Sequence, residues 1–274
     1  MDIQAQTVNN DGQILSAGDA TLSGQTLVNN GTLQGKTLTV HQHTIANSGS
    51  LIGLDGLTLD GQPAPAARPL GMARRATATP GLELTNTGTG RLLTQGTLEI
   101  NAASVENRGQ LQAGTLTLAA GKLSNQQGAE MVSSGEVSLT TPVLLNSGLI
   151  QGDGETRIDA VSEARNDGRM LFRDRLTLTT ADYAGEGWLQ ATRLLLNAAH
   201  NGSGGTLVAD EITLTGDTLD HQGTTQAKQL TLNYRDINNG GALIGNGQLS
   251  ITAGEFTQSE DGKLSSGGDL ILAS

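Results

Sequence analysis

The sequence lacks several features that mark common functions. It has no cysteine, so it forms neither a disulfide framework nor a thiolate metal site. Only 2% of its residues are aromatic, and its net charge of −11 comes without any cluster of lysine and arginine. Nucleic acid binding uses such cations, or aromatic rings that stack on bases, so we expect no nucleic acid partner. No apolar run approaches the roughly 20 residues of a transmembrane helix, and we expect no membrane insertion.

Glycine, in contrast, is abundant and regularly placed. It accounts for 38 of the 274 residues, about twice its usual share of roughly 7%. Gly109, Gly128, Gly148 and Gly168 are 19, 20 and 20 residues apart, and the series continues along the chain with one doubled gap of 39 residues. Asparagine, or histidine once, stands two residues before nine glycines of this series: Asn10, Asn29, Asn47, Asn86, Asn107, Asn146, Asn166, His221 and Asn238.

Alternating apolar residues keep the same period as the glycines. A typical run is Thr115, Leu116, Thr117 and Leu118, which is followed by a glycine three residues later. Because successive side chains of a strand point to opposite faces, such a run places its leucines on one face and its threonines on the other. The runs are short and are bounded by Gly, Asn, Ser and Asp, which predicts strands and turns without helices.

A unit of about twenty residues cannot bury its leucines alone, so it must stack on copies of itself. Three short strands and three corners per coil predict an all-β fold, a right-handed parallel β-helix. This triangular solenoid would have about 13 rungs of roughly 19–20 residues, with the handedness taken from the rule for parallel crossovers. Corner asparagines on successive rungs are expected to stack as side-chain amide ladders.

Three Asn-x-Gly turns represent the structural corners best. Asparagine tolerates the left-handed region and bonds its own backbone, while glycine adopts φ > 0 without steric cost. We therefore interpret these residues as structural turn residues: Asn107, Gly109, Asn146, Gly148, Asn166 and Gly168.

The doubled gap contains an insertion at about residues 61–80. Four of the five prolines fall there, together with Arg68, Arg74 and Arg75. Proline cannot donate to a strand ladder, so this stretch is predicted to be a loop. It is either a partner-binding loop that acts through these arginines or a tolerated insertion. We expect residues 1–274 to be a single β-helix domain, a fragment of a longer protein, because neither end carries an evident polar cap.

The richest charged stretch runs from residue 153 to residue 186. An offset of twenty residues brings Asp153 near Arg173 and Glu155 near Arg175 on adjacent coils. Charges placed in this way pair across the coils on a solvated face. We therefore assign no catalytic residue to this stretch.

Two further candidates receive structural interpretations. His41 and His43 would lie on one side of an extended run, but two ligands are too few for a closed zinc site. Trp188 lies next to Leu189 and is expected to pack in the core rather than to stack on a ligand. No metal-binding or cofactor-binding residue is assigned, and no cofactor is expected.

The repeat resembles that of a known family. The pattern of Asn-x-Gly, x-Leu, x-x-Gly and x-Leu-x-Leu at about twenty residues is clearest in 107–118, 146–158 and 166–178. It is similar to the filamentous haemagglutinin repeats of bacterial two-partner secretion exoproteins, which include adhesins and contact-dependent growth inhibition proteins. The resemblance implies a structural and adhesive shaft, secreted to the bacterial cell surface and not an enzyme. It further implies an outer-membrane transporter and a receptor, protein or glycan, on a host or neighbouring cell.

Two other functions stay open at this point. Parallel β-helices also include polysaccharide lyases and hydrolases, although an aromatic content of 2% is low for a sugar-binding cleft. The chain could instead be a receptor-binding module that acts through the loop at 61–80. Deleting that loop separates this module from a plain shaft.

Overall fold

The computed structural model describes residues 1–61 and 81–274, and within them the chain is built from strands alone. No helix in these two segments is long and apolar enough to cross a membrane. The first ten strands are β1 (Asp2–Gln4), β2 (Thr7–Asn10), β3 (Gln13–Leu15), β4 (Ala20–Ser23), β5 (Thr26–Asn29), β6 (Thr32–His41), β7 (Thr44–Asn47), β8 (Ser50–Asp60), β9 (Glu83–Asn86) and β10 (Arg91–Thr94).

The strands become longer toward the carboxyl end, where some run through a corner. The next nine are β11 (Thr97–Ala102), β12 (Ser104–Asn107), β13 (Gln110–Ala113), β14 (Thr115–Ala120), β15 (Leu123–Asn125), β16 (Glu130–Ser133), β17 (Val137–Asn146), β18 (Leu149–Gly152) and β19 (Thr156–Asn166). The last nine are β20 (Arg169–Phe172), β21 (Arg175–Gly185), β22 (Trp188–Gln190), β23 (Arg193–Ser203), β24 (Thr206–His221), β25 (Thr224–Asn239), β26 (Ala242–Gln258), β27 (Lys263–Ser266) and β28 (Asp269–Ala273).

Each strand pairs in parallel with its counterpart one coil away. β11 and β14, for example, are in register from Thr97 opposite Thr115 to Ala102 opposite Ala120. The chain therefore advances by one strand spacing per coil, about 4.8 Å. The result is a β-solenoid of about 13 turns, which confirms the predicted parallel β-helix.

One coil defines three faces, which are named here by its strands. Face 1 contains Ser104–Asn107, face 2 contains Gln110–Ala113, and face 3 contains Thr115–Ala120. The Asn-x-Gly turn forms the corner between faces 1 and 2. Gly114 lies at the corner between faces 2 and 3, and Gly121 lies at the corner between faces 3 and 1.

The core is a set of apolar columns that run along the inside of the coils. On face 2, Leu111 pairs with Leu92 on one side and with Met131 on the other, and all three are at most 1% exposed. Leu116 and Leu118 are buried in the same way on face 3. Alternate side chains are thus removed from water on every coil, and the hydrophobic effect stabilises the stack as a whole.

The inner position at the corner of faces 3 and 1 is held mostly by small residues. Two long side chains, Gln42 and Tyr234, break this rule, and each lies beside glycine. A Cβ on Gly24 would lie 3.3 Å from the Gln42 Oε1, and one on Gly216 would lie 2.7 Å from the Tyr234 Cε1. Glycine on the neighbouring coil therefore makes the space that a long inward side chain occupies.

The two ends of the predicted insertion meet at this same corner. A Cβ on Gly61 would lie 2.8 Å from the carbonyl carbon of Gly81. The Glu83 N–H then donates to the carbonyl of His43 at 2.8 Å, so face 1 resumes in register. The candidate loop residues Arg68, Arg74 and Arg75 lie outside the described residues.

Candidate functional site

A ladder of buried asparagines runs along the corner between faces 1 and 2. The Nδ2 of Asn107 donates to the Oδ1 of Asn125 at 2.9 Å, and Asn107 accepts the same bond from Asn86 at 2.9 Å. Seven such bonds, 2.7–2.9 Å long, join eight successive coils, and each of these asparagines is at most 5% exposed. The eight residues are Asn10, Asn29, Asn47, Asn86, Asn107, Asn125, Asn146 and Asn166.

Five of the ladder amides, from Asn10 to Asn107, also close their own turns. The Oδ1 of Asn107 accepts from the N–H of Gly109 at 3.2 Å, and its Nδ2 donates to the carbonyls of Gly109 and Glu130 at 3.3 and 3.2 Å. A buried amide costs free energy unless it is bonded, and here both ends of the amide are satisfied. The ladder therefore ties each corner to the next coil.

Glycine follows the asparagine because the turns of successive coils touch. A Cβ on Gly109 would lie 2.2 Å from the carbonyl oxygen of Gly90, and one on Gly168 would lie 2.2 Å from that of Gly148. These distances are much shorter than van der Waals contact, and the contacted backbone atoms cannot move aside. The constraint is therefore close approach, since neither Gly109 nor Gly168 has a positive φ.

Two assignments from glycine spacing need correction. Asn125 belongs to the ladder although it stands three residues before Gly128, because its turn has two residues more than that of Asn107 and Gly128 adopts φ = 81°. At the other end, the buried residue in line with the ladder is Asn239, 1% exposed, and not Asn238. Asn238 points outward, and its Nδ2 bonds Asp220 at 2.8 Å.

The ladder stops after Asn166. The next position in the column is Gly185, whose φ is 121° and whose Cβ would lie 2.1 Å from the carbonyl oxygen of Asn166. No side chain fits there, and the Asn166 amide instead bonds the hydroxyl of the buried Tyr183. Two more coils pass before an amide bond returns, from Asn239 to the Oε1 of Gln258 at 3.0 Å.

Within this interruption the column holds Ser203 and His221. His221 is 1% exposed, with its Nε2 3.1 Å from the carbonyl oxygen of Ala242. Burial lowers the pKa of His221, because the charged imidazolium is poorly solvated there. The Oγ of Ser203 has no hydrogen-bond partner in this buried position.

Other polar groups are buried near the interruption. Asn201 takes an inner position on face 1, where its Nδ2 donates to the hydroxyl of Tyr234 at 3.3 Å. Burial raises the pKa of Tyr234 to about 12. Thr225 stands in the apolar column of face 2 between Leu207 and Leu243, and its Oγ1 has no partner. Unpartnered buried polar groups are not confined to this region, since both ends of the Gln42 amide are also buried without a partner, at the corner of faces 3 and 1.

Ion pairs line the corner between faces 2 and 3. The pairs expected from the twenty-residue offset are present, with Arg173 3.3 Å from Asp153 and Arg175 3.9 Å from Glu155. Similar pairs join Asp174 to Arg193 at 3.6 Å and Asp210 to Lys228 at 2.9 Å. All eight side chains are largely exposed or at the surface, so each pair contributes only about 0–1 kcal/mol.

The remaining candidate residues do not assemble into a reactive site. The Nδ1 of His41 lies 2.5 Å from the Oδ1 of Asp60 on the next coil, so this ring is already engaged by a carboxylate. Among the residues that the structure describes, no three metal-ligating side chains come together.

The expectation that Trp188 packs in the core is wrong. The residue is 41% exposed, and its Nε1 donates to Gln190 at 3.4 Å on the outer side of face 2. Leu189 takes the inner position instead, in line with Met170 and Leu207. Adjacent residues on a strand point to opposite faces, so only one of the two could be buried.

Several known proteins are similar to parts of this chain. The tRNA nuclease CdiA of Escherichia coli is 37% identical over 208 residues, which is 68% of this chain but 6% of that protein. The Toxin CdiA of Escherichia coli is 30% identical over 214 residues, covering 70% and 6%. The Deoxyribonuclease CdiA of Dickeya dadantii is 40% identical over 152 residues, covering 54% and 4%. This chain thus spans a small fraction of the relatives it matches.

No solved structure matches the chain. The haemagglutinin repeat profile, however, matches residues 2–62, 73–148, 113–182 and 184–274. These segments cover almost the whole sequence and contain every coil described above. On this evidence the chain belongs to the haemagglutinin repeat family.

Proposed function

We propose that this chain is a shaft segment of a secreted, filamentous haemagglutinin-like exoprotein of the two-partner secretion and contact-dependent growth inhibition type. The observation that carries the proposal is the continuous register of its coils, which share one buried core from Val8 to Ala253. About thirteen coils at roughly 4.8 Å each make a rod on the order of 60 Å long. Its action is mechanical: it holds another part of the exoprotein away from the cell.

The names of the relatives support a structural rather than an enzymatic role for this segment. One relative is a tRNA nuclease and another is a deoxyribonuclease, yet this chain matches only 6% and 4% of them. A segment that occurs in proteins with different enzymatic activities supports a function that these proteins have in common. We therefore place no catalysis here. A polysaccharide lyase or hydrolase is disfavoured as well, since Asp153 and Glu155 are held in ion pairs at an exposed corner.

We further propose that the full exoprotein is secreted to the bacterial cell surface with an outer-membrane transporter as its partner. The fold suits such a route, because each coil contacts only its neighbours and can form as the chain emerges. A chain without cysteine also cannot form disulfide bonds while it passes through an oxidising compartment. A receptor on a host or neighbouring cell, engaged through Arg68, Arg74 and Arg75, stays a prediction.

The shaft proposal is tested by shortening the rod in the full-length exoprotein. Deleting residues 110–148 removes two coils in phase, because Gln110, Glu130 and Leu149 occupy equivalent positions. The matched control deletes 110–138, which places a face 3 strand directly after the corner where face 2 should begin. The in-phase variant should remain folded and surface-displayed, with a rod shorter by about 10 Å in small-angle scattering of the segment. Loss of folding in both variants alike would contradict a modular shaft.

A further inference from the structure

Face 2 carries an outward column that is free of charge over much of its length. It consists of the third residue of each strand on this face, and from Leu93 to Val208 it reads Leu, Gln, Val, Gln, Leu, Gln, Val. The chain as a whole has a net charge of −11, whereas this stripe is neutral and half-apolar. An uncharged stripe with recurring apolar side chains is compatible with the core of a protein–protein interface, where charged residues are depleted.

A second outward column on face 2 carries two unpaired charges of opposite sign. It consists of the first residue of each strand, and Glu130, Leu149 and Arg169 occupy three successive coils of it. Both charged side chains are exposed, and among the ion pairs of the described residues neither takes part in one. They flank Leu149 symmetrically, one coil on either side.

The third-residue column has the same character in either direction from the coil of Leu149 and Gln151. The first-residue column has opposite charges one coil away on either side, followed by Gln110 against Trp188 and Arg91 against Thr206. Two copies can meet by face 2 across a two-fold axis that lies along the strand of that coil. Rotation about this axis reverses the order of the coils in the second copy, but each column still faces the same column of the first copy. Such an axis places Glu130 of one copy against Arg169 of the other, twice. It also places Val132 against the second copy's Leu171, so apolar residues meet apolar residues and opposite charges meet.

We propose that face 2 is an antiparallel interface between two copies of this chain, with the two-fold axis at Leu149 and Gln151. The face measures about 60 Å by roughly 15 Å, or on the order of 900 Å² for each copy. Stable interfaces bury about 800 Å² per partner, so the area is sufficient. The insertion leaves the coil at Gly61 and returns at Gly81, at the corner opposite this face.

A parallel pair is a poorer fit to the same face. Its two-fold axis would run along the rod and would set the first column of one copy against the second column of the other. Glu130 would then oppose Val132, and a charge desolvated without a partner is costly. Together with the shaft role, on which this consequence rests, an antiparallel pair joins filaments that project from two facing cells.

The interface is tested with the purified chain, so its outcome is independent of the shaft proposal. Because the chain has no cysteine, Gln151→Cys introduces a single thiol beside the proposed axis. A short bismaleimide should join two copies of this variant efficiently, whereas the control Thr117→Cys, on the outer side of face 3, should give little product. Sedimentation equilibrium of the unaltered chain should show a concentration-dependent dimer.

Charge exchange tests the register of the pair. Glu130→Arg and Arg169→Glu should each weaken the dimer at least about tenfold, because each sets like charges together at two symmetric places. The double variant should restore association. Circular dichroism should match the unaltered chain throughout, since both positions are exposed. A strictly monomeric chain, a dimer unaffected by the single exchanges, or equal cross-linking at Gln151→Cys and Thr117→Cys would each overturn the proposal.

Discussion

The coils from Asn10 to Asn166 and those from Gly185 to Asn239 fill the inner position of the same corner with different residues. In the first region a continuous amide ladder fills the corner, and every amide is bonded on both sides. In the second region the corner holds glycine, serine and histidine, yet the strands stay in parallel register. Backbone pairing and the apolar columns therefore suffice to form the coil. The ladder contributes stability to a shape that does not depend on it.

The second region compensates for the missing ladder with larger side chains. All five aromatic residues of the sequence lie beyond Asn166, and two of them, Tyr183 and Tyr234, bond the buried amides of Asn166 and Asn201. The compensation is incomplete, because the hydroxyls of Ser203 and Thr225 are buried without partners. An unbonded buried hydroxyl costs about 1–3 kcal/mol. We infer that the corner between faces 1 and 2 is locally less stable in the interrupted region than in the ladder region.

Removing one amide from the ladder should have the largest effect. Asn107→Ala leaves Asn86 and Asn125 with unpaired buried groups, so we expect the free energy of unfolding to fall by about 2–4 kcal/mol. The control is Asn238→Ala, which removes an outward amide that bonds only Asp220 in this structure. It should cost less than about 1 kcal/mol. Urea denaturation followed by circular dichroism measures both, and equal losses would contradict the role of the ladder.

Restoring an asparagine at the interrupted corner should stabilise the chain. His221→Asn places an amide directly below Asn239 and should raise the free energy of unfolding by about 1–2 kcal/mol. The gain should depend on pH. Because burial lowers the pKa of His221 in the folded chain, the unfolded chain binds a proton first as the pH falls below about 6.5.

The histidine therefore has no pH effect at pH 8 and costs stability progressively below about pH 6.5. Unfolding curves at pH 8 and pH 5 should show a larger difference between the unaltered chain and His221→Asn at pH 5. A difference that is constant with pH, or larger at pH 8, would show that this imidazole is not held neutral by burial.

Replacing the hydroxyl in the apolar column should give a smaller gain. Thr225→Val keeps the shape of a side chain that is 0% exposed and removes an Oγ1 without a partner. We expect stabilisation by about 1 kcal/mol. Thr213→Val, on the outer side of face 3 between coils of similar sequence, should change stability by less than about 0.5 kcal/mol. A destabilised Thr225→Val chain would mean that this hydroxyl has a partner.

The ion-paired corner should matter least. Arg173→Gln removes the pair with Asp153, whose two side chains are 77% and 32% exposed. The loss should stay below about 0.5 kcal/mol at physiological salt and vanish in 1 M salt, where charges are screened within about 3 Å. Thermal unfolding at low and high salt tests this, and a loss that persists at high salt would indicate a packing role for the arginine stem.

The period of the sequence was enough to predict the fold, for a physical reason. Leu116 and Leu118 can only be buried together if their strand faces a column of similar residues on adjacent coils. The ion pairs followed from the same offset of twenty residues. The apolar alternation repeats in every coil, so a local irregularity at a turn does not hide it.

The details of the corner were harder to predict, because turns vary in length while strands do not. Asn125 was missed because two additional turn residues follow it and place Gly128 three residues away, and Asn238 was chosen because Gly240 precedes the glycine that lies in line, Gly241. Counting back from the next buried residue, Leu243 on the following strand, would have selected Asn239. Trp188 was misplaced since its hydrophobicity suggested the core, whereas the alternation with Leu189 sets its direction.

Hydrogen exchange followed by mass spectrometry tests the central claim most directly, because it compares the two regions within one molecule. We expect backbone amides at the ladder corners, such as Gln110 and Arg169, to exchange more slowly than their equivalents Thr206 and Thr224 in the interrupted region. All four donate to the preceding coil at 2.8–2.9 Å, so the backbone bonds are matched. Equal protection, or faster exchange at the ladder corners, would contradict a stabilising role for the amide ladder.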